Sequence, residues 1–304
     1  DEKGNAYLYG IFAEGATVSV KDGSIPIVDY TFSKEVHPNG TIAGKSYALD
    51  ARPYLTFTAD QPQTFKVSIK NSYTLDESIQ YSLNGGVWTK LDVGTKITFG
   101  GDNGALRLRG KSSGGTASSN SKYAFISFGD SKVKVTCSGD IRTLIDYDNY
   151  VTVSTANARF CYLFRECASL TTAPELPATT LADRCYYGMF YKCAGLTTAP
   201  ELPATVLADY CYYQMFRGCT GLTVAPELPA TVLADYCYHD MFRDCKKLDH
   251  ITMLATDISA TSCLTQWVNG VASTGTFTKA AAMTSLTTGV SGIPEGWTVK
   301  NYGE

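Results

Sequence analysis

Charge is scarce in this chain. Asp, Glu, Lys and Arg make up 18% of its 304 residues and nearly cancel, leaving a formal net charge of −3. A nucleic-acid binder carries a basic footprint, so the charge balance excludes nucleic acid as an expected partner. Long apolar runs are missing too. No stretch approaches the ~18 apolar residues of a membrane-spanning helix, and no transmembrane segment is expected. Histidine is rare, with only His37, His239 and His250. None stands in HExxH, and no P-loop occurs. CxxC is absent, and the in-unit spacing from Cys211 to Cys219 is no zinc pattern. No metal and no cofactor are therefore expected. Phe128-Gly129-Asp130-Ser131 echoes the start of a GDSL-type esterase motif, but it lacks the Leu and any downstream DxxH. Asp146 and Asp148 fit a loop better than a glycosidase pair. The chain starts at Asp1 with no initiator Met and no leader, as expected of a mature form cut from its leader or from a lipid-carrying Cys, and equally of a trimmed fragment.

Tyr (20), Phe (13) and Gly (27) are plentiful, and this composition suits β-rich globular structure. Residues 1 to about 136 alternate short β-branched and aromatic runs with turn residues. Asn84-Gly85-Gly86 is a hairpin signal, and Gly100-Gly101-Asp102-Asn103-Gly104 is a further turn. Gly110 to Ser121 reads as a flexible loop. Residues 51–136 are expected to form one antiparallel sandwich. Residues 1–50 add further strands, either as a small domain of their own or packed on that sandwich.

The second half repeats itself. Leu170 to Gly195, Leu196 to Gly221 and Leu222 to Lys247 are three units of 26 residues, and each neighbouring pair is identical at 20 of 26 positions. The same register places an opening cap at 144–169, full repeats at 170–247, and an exit cap with tail at 248–304, all within a 137–304 region. One such unit cannot bury its apolar face alone, whereas stacked units can. Eight of the ten cysteines follow the register, as Cys167/Cys193/Cys219/Cys245 and Cys185/Cys211/Cys237/Cys263. In an oxidising compartment these columns could pair, but parallel side-chain vectors suit buried thiols better.

Within a unit, Leu196 to Pro203 reads as extended, because two prolines exclude a helix interior. Beyond it, Leu207, Cys211, Met215, Phe216 and Cys219 recur at helical spacing, with Thr205 as N-cap. Columns Met189/Met215/Met241 and Phe190/Phe216/Phe242 are expected inside. The units differ at Thr198/Val224, Arg184/Tyr210/Tyr236, Tyr187/Tyr213/His239, Gly188/Gln214/Asp240, Tyr191/Arg217/Arg243 and Lys192/Gly218/Asp244. Close-packed interiors do not tolerate such changes, so these columns are expected to face solvent.

The stretch Met215 to Phe242 resembles the BspA-like leucine-rich repeats of surface proteins from gut and oral Gram-negative bacteria. The shared pattern is F-x-x-C-x-x-L (Phe216, Cys219, Leu222), then a Pro-containing extended piece (Pro226, Pro229), then Leu233 to Phe242. The likeness covers about 144–273, with units of 26 residues where the family more often has about 23. It implies a right-handed solenoid of strand-plus-short-helix units, an Ig-like sandwich ahead of it, and an extracellular role in adhesion or ligand capture with no catalytic residues. The expected fold is thus mainly β, an antiparallel sandwich followed by a leucine-rich-repeat solenoid. The expected place is the cell surface, as an outer-membrane lipoprotein anchored upstream of Asp1, and the expected state is a monomer.

Partner contacts are expected at Tyr187, Tyr191, Tyr210, Tyr213 and Tyr236, with Arg217 and Arg243. Tyr offers large contact area at low entropy cost. The partner is a protein or a glycan. An alternative is glycan capture in the sandwich through Trp88, and a hydrolase is the third and disfavoured reading. Glu175/Glu201/Glu227 and Asp183/Asp209/Asp235 form acidic columns. Carboxylates ~5 Å apart in water repel by roughly 0.8 kcal/mol per pair. Backbone N–H groups are the expected offset, a bound cation the alternative.

Overall fold

A computed structural model describes residues 52–304 and the backbone of five strands ahead of them. These are β1 (Ala6–Leu8), β2 (Thr17–Asp22), β3 (Ile25–Thr31), β4 (Asn39–Ile42) and β5 (Lys45–Leu49). β2 pairs with β3, and β5 lies between a parallel β1 and an antiparallel β4. Whether 1–50 is its own domain lies outside the described residues.

Alternation of apolar and polar residues builds the next eight strands. They are β6 (Leu55–Thr58), β7 (Gln63–Lys70), β8 (Gln80–Leu83), β9 (Thr89–Lys90), β10 (Lys96–Phe99), β11 (Leu106–Arg109), β12 (Tyr123–Phe128) and β13 (Val135–Ser138). One sheet has the order β10-β7-β12, all antiparallel. The facing sheet contains β13-β6-β11-β8-β9. Phe57 of β6 meets Phe65 of β7 across the gap, with ring centroids 5.5 Å apart. Asn84 and Gly85 both take positive φ at the β8–β9 turn, as the Asn-Gly signal requires. Gln63 is buried at one end of β7. Its side chain donates to the Asp130 and Val133 carbonyls and accepts from the Asp130 and Thr64 N–H groups. The Gly129-Asp130-Ser131 segment is therefore a clamped turn.

Two expectations about the architecture are overturned. The second sheet is mixed, because β14 (Leu170–Thr172), from the first full repeat, adds in parallel to β13. One hydrophobic cluster accordingly runs from Leu55 to Trp297. The repeats, moreover, do not build a strand-plus-helix leucine-rich-repeat solenoid. Among the described residues the only helical turns are 3₁₀ segments, Gly101–Asn103 and Ile141–Leu144.

Turns replace the expected helix. Arg184, Tyr186, Gly188, Phe190 and Lys192 donate their N–H groups to the carbonyls of Asp209, Cys211, Tyr213, Met215 and Arg217 in the next unit, at 2.7–3.0 Å. The residues between them, Cys185, Tyr187, Met189, Tyr191 and Cys193, donate three positions back, at 2.9–3.3 Å. Every fourth residue is left-handed: φ is 57°, 57° and 58° at Arg184, Gly188 and Lys192, and 58°, 54° and 76° at Tyr210, Gln214 and Gly218. An α-helix excludes that conformation and would spend its N–H groups within the unit. The turn ladder spends half of them on its neighbour. It also points Cys185, Tyr186, Met189, Phe190 and Cys193 inward, and this period of four reads from sequence like the period of a helix.

The layers stack in parallel elsewhere too. Bridges join Thr172 to Thr198, Val224 to His250, Thr180 to Val206 and Val232 to Asp257. Beyond the last full unit, β15 (His250–Met253), β16 (Thr276–Lys279) and β17 (Thr298–Asn301) form a parallel sheet. Inside, Phe164, Phe190, Phe216 and Phe242 stack at 5.4, 5.6 and 5.7 Å. Trp267, fully buried, closes this column and that of Tyr186, Tyr212 and Tyr238. All ten cysteines are free and buried. Cys193, Cys219 and Cys245 each donate Sγ–H to the Phe carbonyl of the preceding unit, at 2.8, 3.1 and 3.0 Å.

Candidate functional site

The turn ladder positions the candidate side chains. Because its residues alternate in pairs between inside and outside, Arg184, Tyr187, Tyr191 and their 26-residue counterparts emerge on one face. Two ring columns run along it. Tyr187 stacks on Tyr213 at 4.5 Å and Tyr213 on His239 at 4.7 Å. Beside them Tyr210 stacks on Tyr236 at 4.6 Å with planes 3° apart, and the Arg184 guanidinium covers Tyr210 at 4.5 Å. Tyr162 of the opening cap meets Tyr187 and Tyr191 edge-on. The structure thus brings Tyr187, Tyr191, Tyr210, Tyr213, Tyr236, Arg217 and Arg243 onto one face.

These residues are half-buried rather than fully solvent-facing. The reason is mutual: rings stacked at about 4.6 Å cover each other's faces and leave edges and hydroxyls at the surface. Burial, followed by the neighbouring Tyr213, pushes the Tyr187 hydroxyl up to about 12. Tyr213 is raised by burial and then by Asp240. Asp240 is 3% exposed although its column varies as Gly188/Gln214/Asp240. Its carboxylate accepts from Arg217 at 2.9 Å, Gln214 at 3.0 Å and Arg243 at 3.4 Å. Arg217 and Arg243 are therefore tied down, and the variable column closes over its own charge. His239 Nδ1 lies 3.9 Å from Asp240 Oδ2 and is buried without a hydrogen-bond partner. Burial lowers the His239 pKa, Asp240 opposes this, and Arg217 and Arg243 add to it.

Trp88 belongs to a different cluster. Tyr54 packs edge-on against it at 4.8 Å, and Arg109 lies 4.3 Å from both Trp88 and Tyr147. The ring is thus engaged by the protein's own side chains. In the Asp column Asp209 accepts from the Asp235 N–H at 3.2 Å and Asp235 from the Thr261 N–H at 2.6 Å, while Asp183 pairs through Oδ2 with Arg184 and its buried Oδ1 has no hydrogen-bond partner. Glu175, Glu201 and Glu227 are exposed. Among the described residues no group of three His, Cys, Asp or Glu is placed to hold a metal ion, and no helix is long and apolar enough to cross a membrane.

Sequence reasoning missed Tyr162, Arg184, His239 and Asp240. The register gave a signal for the last three, which stand in the variable columns. Tyr162 stands one unit ahead of Gly188 in the column of Asp240 and shares its left-handed φ, but the opening cap has lost the Ala-Pro-Glu-Leu-Pro core that marks a unit. Compared with protein-family models, with curated proteins and with solved structures, the chain matches none.

Proposed function

We propose that the chain is a non-enzymatic binding or adhesion protein of an extracellular surface, with the ring-bearing face of its repeats as the recognition surface. One observation carries this reading. Between units identical at 20 of 26 positions, seven of the twelve differences fall in the columns of the ring-bearing turn ladder. Its outer face holds two continuous columns of half-exposed rings. A surface kept for packing alone would repeat as its core does. Tyr edges and hydroxyls flanked by Arg are the side chains that dominate binding hot spots. The resemblance of Met215–Phe242 to bacterial surface repeats supports the extracellular placement, and a protein or glycan is the partner class.

The test replaces rings by residues the protein already uses in the same register. Tyr210→Ser and Tyr236→Ser copy Ser262, and Tyr213→Thr copies Thr265. The intact chain and the triple variant are compared for capture of immobilised extracellular-matrix proteins by biolayer interferometry. At least a tenfold loss of affinity is expected, with the circular dichroism spectrum preserved. Equal affinity of variant and parent would overturn the proposed face.

A further inference from the structure

The two ring columns stop in mid-stack. Tyr236 lies flat on Tyr210, and His239 lies on Tyr213 with planes 19° apart. Tyr236 and His239 stand side by side, 5.9 Å between centroids and 28° between planes, as a two-ring platform. One step further along the register stand Ser262 and Thr265. The backbone does not change at this step. Ser262 has φ 52°, where Tyr210 and Tyr236 have 58° and 56°. The Tyr236 N–H still bonds the Thr261 carbonyl at 2.9 Å, and the Asp240 N–H the Thr265 carbonyl at 3.0 Å. The layer continues while its rings are missing. Among the described residues no further ring stacks on Tyr236 or His239 from that side. All four residues are half-buried, so the notch is reached from solvent.

We infer that this notch binds a carbohydrate, with one pyranose ring stacked by its C–H face on Tyr236 and His239 in the place of the missing rings. The π face of an aromatic ring is its negative side and attracts polarised C–H groups. A sugar also needs polar partners at its rim. Ser262 and Thr265 supply hydroxyls there, and Asp235, whose Oδ1 accepts from the Thr261 N–H, supplies a second carboxylate oxygen. An aromatic side chain from a protein partner would call for apolar flanks instead, because buried hydroxyls left unpaired are costly. The rest of the ring face presents edges, so the end of the columns is where a ring-shaped ligand finds an open platform. The inference rests on the reading of this face as a recognition surface and names the ligand class for one part of it.

Isothermal titration of the full chain with maltohexaose, cellohexaose, laminarihexaose and the hexamer of N-acetylglucosamine tests it. The double variant Ser262→Tyr/Thr265→Tyr extends both columns and fills the notch. Its fold is protected, because Tyr already occupies the left-handed positions that match Ser262 (Tyr210 and Tyr236) and the positions that match Thr265 (Tyr187 and Tyr213) in two units each. Tyr236→Ser removes the platform by a second route. Binding of at least one of the four sugars is expected, weakened at least tenfold in both variants, with the blocked variant keeping its thermal midpoint. The inference is overturned if none of the four binds, if binding survives in the blocked variant, or if N-acetyltryptophanamide binds the notch while the sugars do not. Loss of matrix-protein capture in the triple ring variant, with none of the four sugars binding the parent chain, would sink the notch and leave the recognition face standing.

Discussion

A thiol at Cys193, Cys219 or Cys245 fills a core position and also caps a carbonyl of the preceding unit. That double role explains why Cys recurs where Ala or Val would satisfy packing alone. Serine keeps the donor but is more polar and leaves a small void, so Cys219→Ser is expected to cost about 1–3 kcal/mol in urea unfolding. Burial pushes the Cys193 and Cys245 thiols up from 9.0 to about 12. Their unfolded forms lose the proton near 9.0, the native forms only near 12, so native molecules hold more protons in between. Stability is therefore complete below about pH 9 and falls as pH rises toward 12, by about 1.4 kcal/mol per pH unit for each such thiol. A thiol reagent at pH 8 should label none of the ten cysteines until the chain unfolds. His239 acts in the opposite direction. Its lowered pKa means that unfolded chains take up the proton first, so stability drops as pH falls below about 6.5. His239→Tyr, which copies Tyr213, should remove this acid sensitivity, read as a flat thermal midpoint between pH 7 and 5.

At the scale of the element, the turn ladder makes a prediction that a helix would reverse. Lys192 is exposed with φ 58°, and Gly218 and Gly270 hold the same register at 76° and 78°. Lys192→Gly should raise stability by about 0.5–1 kcal/mol, since a left-handed non-glycine residue is strained. In a helix the same change would cost about 1 kcal/mol. The midpoint of denaturant unfolding decides between the signs. The sequence had shown which residues face inward, because Cys211, Met215, Phe216 and Cys219 are buried as the spacing implies. It did not separate helix from turn ladder, because gaps of four and one suit both. Gly and Asp at Gly188, Gly218, Asp240, Asp244 and Gly270, four residues apart or one unit apart, were the available sign of positive φ.

Across the whole molecule, each layer bonds only to the layers beside it, so a layer can be removed in register. Deleting 196–221 joins Gly195 to Leu222 as Gly221 joins it in the native chain. The shortened protein should fold, with a smaller denaturant m-value in proportion to the lost buried surface. Trp267→Ala should be far more damaging, about 3–5 kcal/mol, because Trp267 closes two ring columns at once. From the sequence alone came the repeat boundaries, the inward columns, the strands of the first half, and the columns in which the units differ. These are one-dimensional facts of period and alternation, and burial enforces them locally. Tertiary structure alone decided that β14 joins the first sheet in parallel, that Asp240 is buried beneath Arg217 and Arg243, and that the ring columns end at Ser262 and Thr265 with the backbone unbroken. Each of these depends on where N–H groups, charges and rings of one layer or strand meet those of another, and no local pattern records that pairing.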